Sequence, residues 1–592
     1  MTILEKNIQA LLSGVNEPLG NKLLNFIQNK TCSRFNIDEN LNIYDKTHNV
    51  FMYENLEEEL NFFYQSILEK TPRYPFVCIY GIGNALLIKN LAKHYKHLFV
   101  FESEIELFIL ALSTIDLSEE LKVYKVVLFD CVAKDLEIQI AMIFDQQSIL
   151  EYLSLYEMFI SSHYYLKYYE TSILSLNELC IKSASVAIRN VDITCFLPLL
   201  THGQFLQNIP SMLESIPFQR ILSQRKNKFD NAIVVSAGPS LAKQLPLLKA
   251  CQDKAVIFCA DGALSMLEKE GIVPDYVTNL DFTDLAMKFF QNKENKTSLN
   301  ILSCATHPNV AHSLKAENCM IVLRNKALYQ RFNFNDFGYI DTGTHVSHFS
   351  YTLALALGFK NIIMIGQDLA FDEEGNSHSK GFDFGEKFEE EHKKYKLKIP
   401  AYAGKGEVLT HTTWNDYRIK LEYLFACNDQ KAKFYNATEG GARINFTEEL
   451  SFKECCEKLL TKEKPKFELP KSLTKNRSDK LLVKFKEKIQ KDQENAKRFL
   501  DDALALKQIL ENILSKDFIL PLEFLEKVYQ NIENFNHSLD EDEFIQDEVL
   551  RGAFAYRGKL ISDVLKLHIK DETHFITAYI KAYHEWLLYF IE

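Results

Sequence analysis

The sequence predicts an α/β protein in which a Rossmann-like central domain lies between an α/β N-terminal domain and an all-helical C-terminal domain. Three observations support this prediction. Short apolar runs alternate with helical patterns up to about residue 450, as in parallel sheets flanked by helices. The apolar runs between residues 232 and 281 each end in a glycine turn or an acid. After about Pro470 the strand signals stop and long amphipathic patterns follow.

Length and composition set the outer limits. A chain of 592 residues exceeds what one hydrophobic core serves, and we predict domains at 1–215, 216–450 and 451–592. A net charge of −12 disfavours nucleic acid as a partner, because phosphates require a basic surface. The first residues lack a signal-peptide pattern and no apolar run reaches membrane-spanning length, so we expect a cytoplasmic protein. The twelve cysteines show no C-x-x-C spacing, so we predict neither a zinc site nor a disulfide framework.

The N-terminal domain contains a glycine turn of the kind that follows a strand in dinucleotide-binding folds. The apolar run Phe76–Tyr80 leads into Gly81-Ile82-Gly83, and Glu102 follows about 20 residues later. The third glycine of that motif is missing. Two interpretations stay open: the turn binds an adenosine-containing cofactor, or its glycines serve only tight packing of strand against helix.

The central domain contains the turn with the most ligand-binding features. Ser236 follows the apolar run 232–235, and Gly238-Pro239-Ser240 then begins a helix. Glycine permits close approach, and proline suits a first helical turn, so free N–H groups of this turn are predicted to face an anion such as a phosphate. The same residue types also serve a helix start that binds nothing.

Further polar groups follow neighbouring strands of this domain. Asp261-Gly262 and Asp281 end two apolar runs, and their carboxylates suit a ribose, a base or Mg²⁺ between phosphates. Gln367-Asp368 follows the run Asn361–Ile365 in the same way. Because the carboxyl ends of parallel strands share one edge, ligands are expected there.

A histidine and two more polar loops complete the candidates. His378 lies on a glycine-flanked loop, where it is either a general base or an ordinary exposed histidine. The segment Thr342-Gly343-Thr344 precedes an apolar helix, and the loop 436–442 offers donors and acceptors suited to a sugar, or is a plain glycine turn.

The C-terminal domain is predicted to be a helical bundle. Ala503, Leu506 and Leu510 recur at helical spacing, as do Ile561, Val564 and others further on. These apolar stripes are expected to form a core, although one face could recognise a protein partner.

Five segments, in this order and spacing, resemble the bacterial motility accessory factor family. They are residues 236–241 (SAGPSL), 260–263 (ADGA), 272–275 (IVPD) with Asp281, 366–371 (GQDLAF) with His378, and 436–442 (NATEGGA). The resemblance implies a glycosyltransferase that moves a nonulosonic acid, such as pseudaminic or legionaminic acid, from its CMP form to serine or threonine of flagellin. That activity serves assembly of the bacterial flagellar filament and motility.

The central domain is also similar to the bacterial sialyltransferase fold. This similarity implies catalytic roles for His378, as the general base, and for Asp281 and Asp368. The residues implied in binding the donor nucleotide are Ser236, Gly238, Pro239, Ser240, Asp261, Gly262, Asp281, Thr342, Gly343, Thr344 and Gln367, and those implied in binding the sugar are Thr438 and Glu439. No cofactor and no metal is implied, since the Asp-x-Asp of the sequence, Asp540-Glu541-Asp542, falls in the helical tail.

Two alternatives remain. The central domain is similar to a hydroxymethylpterin diphosphokinase, which would hold Mg²⁺ and ATP through Asp261 and Asp281 and move pyrophosphate to a pterin. The chain could instead be a flagellin-binding escort protein without catalysis. The sequence predicts no particular oligomeric state.

Overall fold

The computed structural model describes residues 2–29, 32–290, 298–394, 397–404, 406–516, 518, 520–542, 545 and 548–592. The chain divides into two compact units, which we call unit 1 (Met1–Cys195 with Lys497–Glu592) and unit 2 (Phe196–Ala496). The three-domain division stays a prediction; the units group its segments differently, because most of the helical tail belongs to the same unit as the N-terminal segment.

The strands are short and mostly buried. In chain order they are β1 Phe35–Ile37, β2 Ile43–Asp45, β3 Val50–Phe51, β4 Phe76–Tyr80, β5 His97–Glu102, β6 Val126–Asp130, β7 Met158–Ile160, β8 Asn231–Val235, β9 Val256–Ala260, β10 Tyr276–Asn279, β11 Leu299–Ser303, β12 Cys319–Arg324, β13 Tyr339–Ile340, β14 Asn361–Ile365, β15 Leu397–Pro400, β16 Glu407–Thr410, β17 Lys433–Asn436 and β18 Glu448–Glu449.

Helices connect these strands and form the C-terminal segment. In chain order they are α1 Ile3–Leu12, α2 Glu17–Asn29, α3 Leu56–Lys70, α4 Leu86–Leu91, α5 Ile105–Thr114, α6 Ser118–Lys122, α7 Leu136–Phe144, α8 Gln147–Leu150, α9 His163–Arg189, α10 Phe196–Glu214, α11 Phe218–Arg225, α12 Leu241–Cys251, α13 Leu264–Lys269, α14 Ala286–Phe290, α15 Pro308–Ser313, α16 Ala327–Gln330, α17 Val346–Ala356, α18 Thr412–Ala426, α19 Phe452–Leu459, α20 Lys475–Leu514, α21 Leu522–Asp540, α22 Arg551–Leu565 and α23 Glu572–Ile591.

Unit 1 contains a parallel sheet of order β6-β5-β4-β7 and a small antiparallel sheet of order β1-β2-β3. Strands β4 and β6 are buried along their whole length, as expected of a parallel sheet covered on both faces. The core of this unit also takes apolar residues from the C-terminal helices, among them Ile580 and Trp586. The predicted strand at Phe76–Tyr80 and the predicted tail of long helices are therefore confirmed.

Unit 2 is built on a nine-stranded sheet of order β13-β12-β11-β10-β9-β8-β14-β17-β18, in which every pair is parallel. Alternate residues of a strand face opposite layers: Ala232 and Val234 belong to one apolar core, and Ile233 and Val235 to another. The sheet is thus covered on both sides, which confirms the α/β class and the Rossmann-like centre. The antiparallel pair β15-β16 lies outside this sheet.

The order of strands reverses beside β8. From β8 the chain builds outward through β9 to β13, and then returns to place β14 on the other side of β8. In open parallel sheets, the crevice outside the carboxyl ends of strands at such a reversal is where ligands bind. In this protein, that crevice lies between the residues after Val235 and those after Ile365.

Among the described residues, no helix combines the length and apolar character that a bilayer crossing requires.

Candidate functional site

A cavity of about 340 Å³ opens at the reversal of strand order in unit 2. Its size falls within the range of small-molecule sites. It is lined by eight of the residues that the sequence predicts for a site: Ser236, Gly238, Asp261, Gly262, Asp281, Gln367, Asp368 and His378. The structure therefore brings together groups from the ends of β8, β9, β10 and β14.

Two glycines bring the turns after β8 and β14 into direct contact. A Cβ at Gly366 would lie 2.2 Å from the carbonyl oxygen of Ser236, and Gly366 has a φ of 65°. A Cβ at Gly238 would lie 2.3 Å from a carboxylate oxygen of Asp368. The Gly238 N–H donates to the Gly366 carbonyl at 2.8 Å. Glycine is required at both places because no side chain fits between the two turns.

The expectation of free N–H groups in the turn Gly238-Pro239-Ser240 is wrong; together with the start of α12 we call this segment the turn 238–242. Besides the Gly238 N–H, the N–H of Ser240 donates to Asp368 at 3.2 Å, and that of Ala242 donates to the hydroxyl of Ser379 at 3.0 Å. The Ser240 hydroxyl also donates to Asp368, at 2.7 Å. Because these donors are engaged within the protein, the turn serves to position Asp368.

Asp368 is a buried carboxylate at the floor of the site. Burial raises its pKa to about 6, and the two hydrogen bonds from Ser240 oppose that shift. Its neighbour Gln367 is also buried and accepts a hydrogen bond from the Ser236 hydroxyl at 2.9 Å. These contacts hold the side chains of Gln367 and Asp368, just after the end of β14, in fixed positions.

Asp261 and Asp281 line the same cavity but differ in their contacts. Asp261 is buried and accepts hydrogen bonds from the Gly262 N–H, at 2.7 Å, and from the side-chain amide of Asn279. Asp281 is half-buried, and one of its carboxylate oxygens accepts from the Thr283 N–H at 2.8 Å. Among the described residues, no group of three or more His, Cys, Asp or Glu side chains is arranged to hold a metal ion.

His378 is held at the cavity wall and is not a freely exposed loop residue. Its ring stacks on Phe382, with centroids 4.0 Å apart and planes 6° from parallel. Its Nδ1 lies 2.9 Å from the Ser377 hydroxyl, which donates its own proton to the Glu386 carbonyl. When the serine proton goes to that carbonyl, the serine oxygen accepts from Nδ1–H, and the lone pair of the neutral imidazole is then on Nε2. Burial lowers the His378 pKa to about 4, so the ring is neutral at pH 7.

The segment Thr342–Gly343–Thr344 does not line the cavity; the residues that directly follow it do. Gly343 packs against the ring of His348, where a Cβ would lie 2.3 Å from the ring. His345, Val346 and Ser347, at the start of α17, contribute to the cavity instead.

The loop after β17 also lies outside the cavity lining, as do Pro239 and Ser240. The Thr438 hydroxyl bonds with Asn436 and with the Gly440 carbonyl. A carboxylate oxygen of Glu439 accepts from the N–H of Phe452, at the start of α19. Sugar binding by Thr438 and Glu439 stays a prediction, and their contacts serve the conformation of the loop.

Sequence reasoning missed several residues of the cavity wall, namely His345, Ser347, Phe382, Glu389, Trp414 and Tyr417. Trp414 and Tyr417 lie on α18, which the sequence analysis does not connect with the site. His345 stands directly after the predicted Thr342–Thr344 segment, and the signal that could have found it is its place at the helix start.

The glycine turn of unit 1 is filled by the protein's own side chains. A Cβ at Gly81 would lie 2.1 Å from the Tyr165 ring, and the Gly83 N–H donates to the Tyr165 hydroxyl at 3.1 Å. That hydroxyl in turn donates to Glu102 at 2.6 Å. Burial raises the pKa of Glu102 to about 7. In this packing the glycines allow the close approach of an aromatic ring, which favours the interpretation without a bound cofactor.

Comparison with known proteins finds two similarities. Residues 203–374 match the family model described as 6-hydroxymethylpterin diphosphokinase MptE-like. The whole chain is similar to the structure of the MAf glycosyltransferase from Magnetospirillum magneticum AMB-1, with 15% sequence identity, a TM-score of 0.48, and coverage of 100% of this chain and 97% of that one. No curated protein matches. The family model is described by the diphosphokinase that the central-domain motifs also resemble.

Proposed function

We propose that this protein is a glycosyltransferase that moves a nonulosonic acid, pseudaminic or legionaminic acid, from its CMP form to serine or threonine hydroxyls of flagellin in the bacterial cytoplasm. One observation carries the proposal. Four of the five segments whose order resembles the motility accessory factor family contribute to one cavity, through residues 236–238, 260–262, Asp281, and 366–369 with His378.

The chemistry requires a base and a stabilised leaving group. In the proposed reaction the acceptor hydroxyl oxygen attacks the anomeric carbon of the sugar. The bond from that carbon to the phosphate oxygen breaks, its electrons leave with CMP, and a base takes the hydroxyl proton. We assign this step to Nε2 of His378, with Nδ1–H donating to the Ser377 hydroxyl.

The carboxylates of the cavity accept hydrogen bonds from protein donors, which fix their orientation. A carboxylate held in this way can orient polar groups of the ligand. Asp281 has one oxygen engaged by the Thr283 N–H, and it faces the cavity from the end of β10. We assign it to the hydroxyl groups of the donor. Asp368, in contact with Ser240, is assigned to holding the β14 exit in place for catalysis.

A second candidate is a Mg²⁺- and ATP-dependent pyrophosphokinase of the hydroxymethylpterin type. The family match over residues 203–374 favours it, and Asp261 and Asp281, which that reaction would use to hold Mg²⁺ and ATP, both line the cavity. A third hypothesis is that the protein is a flagellin-binding escort protein, which would require no reaction at this cavity.

Melting temperatures distinguish the two proposed enzyme activities. If the protein is the proposed glycosyltransferase, CMP should stabilise it in the presence of EDTA. A ligand that binds only the folded state raises the free energy of unfolding of the protein. The pyrophosphokinase predicts stabilisation by ATP only when Mg²⁺ is present. A shift with ATP and Mg²⁺ and none with CMP would contradict the proposal.

A further inference from the structure

One ring nitrogen of His345 takes part in a hydrogen bond within the protein. It is the N-cap of α17, and its Nδ1 accepts a hydrogen bond from the His348 N–H at 3.3 Å. The Ser347 hydroxyl lies 2.8 Å from the same nitrogen. Because Nδ1 is the acceptor, the proton of the neutral ring is on Nε2. Burial, together with His348 and Lys420, holds the His345 pKa well below its usual range, so the ring is neutral at pH 7.

The other ring nitrogen is a buried donor that lacks an acceptor. Nε2 of His345 has no hydrogen-bond partner within the part of the chain that the structure describes. The ring is fixed by stacking on Tyr417, with centroids 4.6 Å apart, and it lines the cavity. A buried N–H without an acceptor costs free energy, so its presence at a cavity wall points to an acceptor that a ligand supplies.

The start of α17 adds further donors at the same place. The N–H groups in the first turn of a helix have no partner within the helix, and Val346 and Ser347 of that turn line the cavity. The positive end of the dipole of an 11-residue helix also favours an anion there. The turn 238–242 is unlike this segment, because its N–H groups are engaged by protein acceptors.

We propose that Nε2–H of His345, together with the first turn of α17, binds the phosphate of the donor nucleotide. This inference rests on the proposed function, and it assigns the phosphate to the residues that follow Thr342–Thr344 rather than to the glycine-proline-serine turn. The charge on the phosphate oxygen grows as its bond to the sugar breaks, and a fixed donor aimed at that oxygen stabilises the leaving group.

His345 and His378 would then have opposite tasks at one cavity. In the proposed reaction His378, with Nδ1–H donating to Ser377, takes the proton of the acceptor hydroxyl on Nε2. His345 has its proton on Nε2 and donates a hydrogen bond to the leaving CMP. The contacts of Nδ1, with Ser377 in one case and with the α17 backbone in the other, determine this difference.

Two substitutions distinguish the role of His345 as a hydrogen-bond donor to the phosphate from its role as the N-cap of α17. Asparagine at 345 retains a side-chain oxygen for the cap but does not reach as far as Nε2, whereas glutamine extends an amide N–H to about the place of Nε2 and lacks the cap. Affinities for CMP and for cytidine, which has no phosphate, are measured by calorimetry for wild type, His345→Asn and His345→Gln. Melting curves without ligand establish that each variant is folded.

We expect His345→Asn to bind CMP about tenfold or more weakly than wild type, since a hydrogen bond to a charged group is lost. Its affinity for cytidine should be unchanged, and His345→Gln should retain most of the CMP affinity despite a lower melting temperature. Equal CMP affinity in wild type and His345→Asn, or an equal loss for CMP and cytidine, would overturn the inference alone. Failure of the wild type to bind CMP would overturn the proposed function, and the inference with it.

Discussion

Ser240 directs both of its donors to one carboxylate oxygen of Asp368: the backbone N–H lies 3.2 Å and the hydroxyl 2.7 Å from Oδ2. Both residues are buried. The contact joins the turn after β8 to the loop after β14 across the reversal of strand order. The geometry of the proposed donor site depends on this pair.

Removal of the Ser240 hydroxyl should destabilise the protein. We expect Ser240→Ala to lower the free energy of unfolding by about 1–3 kcal/mol, because a buried carboxylate loses a hydrogen bond. Denaturant unfolding followed by tryptophan fluorescence measures the change. Ser240→Thr keeps the hydroxyl and is the matched control, with a smaller expected loss. Equal stability of Ser240→Ala and wild type would show that this contact is weaker than its geometry indicates.

Asp368 should make stability depend on pH. Its pKa in the folded protein is about 6, mainly because of burial, whereas that of an unfolded aspartate is about 4. The folded state therefore binds more protons between these values, so the contribution of Asp368 to stability is lost as pH rises through that interval. Relative to Asp368→Asn, the wild-type free energy of unfolding should fall by about 2–3 kcal/mol from about pH 4 to about pH 7. Denaturant titrations at several pH values measure this difference, and a constant or rising difference is the contrary outcome.

Gly366 should tolerate no side chain. Gly366→Ala combines strain at positive φ with a Cβ placed 2.2 Å from the Ser236 carbonyl oxygen, a backbone atom that cannot move aside alone. Gly385→Ala is the matched control, because Gly385 also has positive φ, at 91°, but its Cβ would have no atom within 4 Å. We expect Gly385→Ala to cost about 1 kcal/mol in unfolding free energy and Gly366→Ala clearly more. Comparable losses in the two variants would show that the turns are not in close contact.

The tyrosine that fills the glycine turn of unit 1 should stabilise that unit. Tyr165→Phe removes a donor to the buried carboxyl of Glu102 and an acceptor for the Gly83 N–H. We expect a loss of about 1–3 kcal/mol in unfolding free energy. Tyr168→Phe, on the same helix, is the control, since the Tyr168 hydroxyl makes no hydrogen bond within the described ranges. An equal effect of the two substitutions would mean that the Tyr165 hydroxyl contributes nothing specific.

Some buried strands, such as β4 and β14, could be predicted from the sequence with their bounds. Continuous apolar runs of five residues, such as those of β4 and β14, are typical of a parallel strand that is covered on both faces. The two-residue strands β13 and β18 at the sheet edges carry no such pattern, and they were not predicted. Their pairing depends on neighbours that are distant in sequence.

The site was predictable only in part. Residues at the exits of β8, β9, β10 and β14 could be found because the ends of parallel strands share one edge. The turn 238–242 appeared to have free N–H groups, since their acceptors lie far along the chain: Asp368 is 128 residues from Ser240. Trp414 and Tyr417 reach the cavity from a helix that carries no motif, so their role could not be inferred locally.

The proposed reaction can be tested by the transfer of sugar to flagellin. Flagellin is coexpressed with a CMP-nonulosonate pathway and with wild type, His378→Ala, Asp281→Ala or His312→Ala, and its intact mass is measured. His312 is exposed on α15 and is the control. We expect the added mass of the sugar with wild type and His312→Ala, and none with His378→Ala or Asp281→Ala, although both variants should still bind flagellin. Unchanged modification by His378→Ala and Asp281→Ala, or no added mass with the wild type, would contradict it.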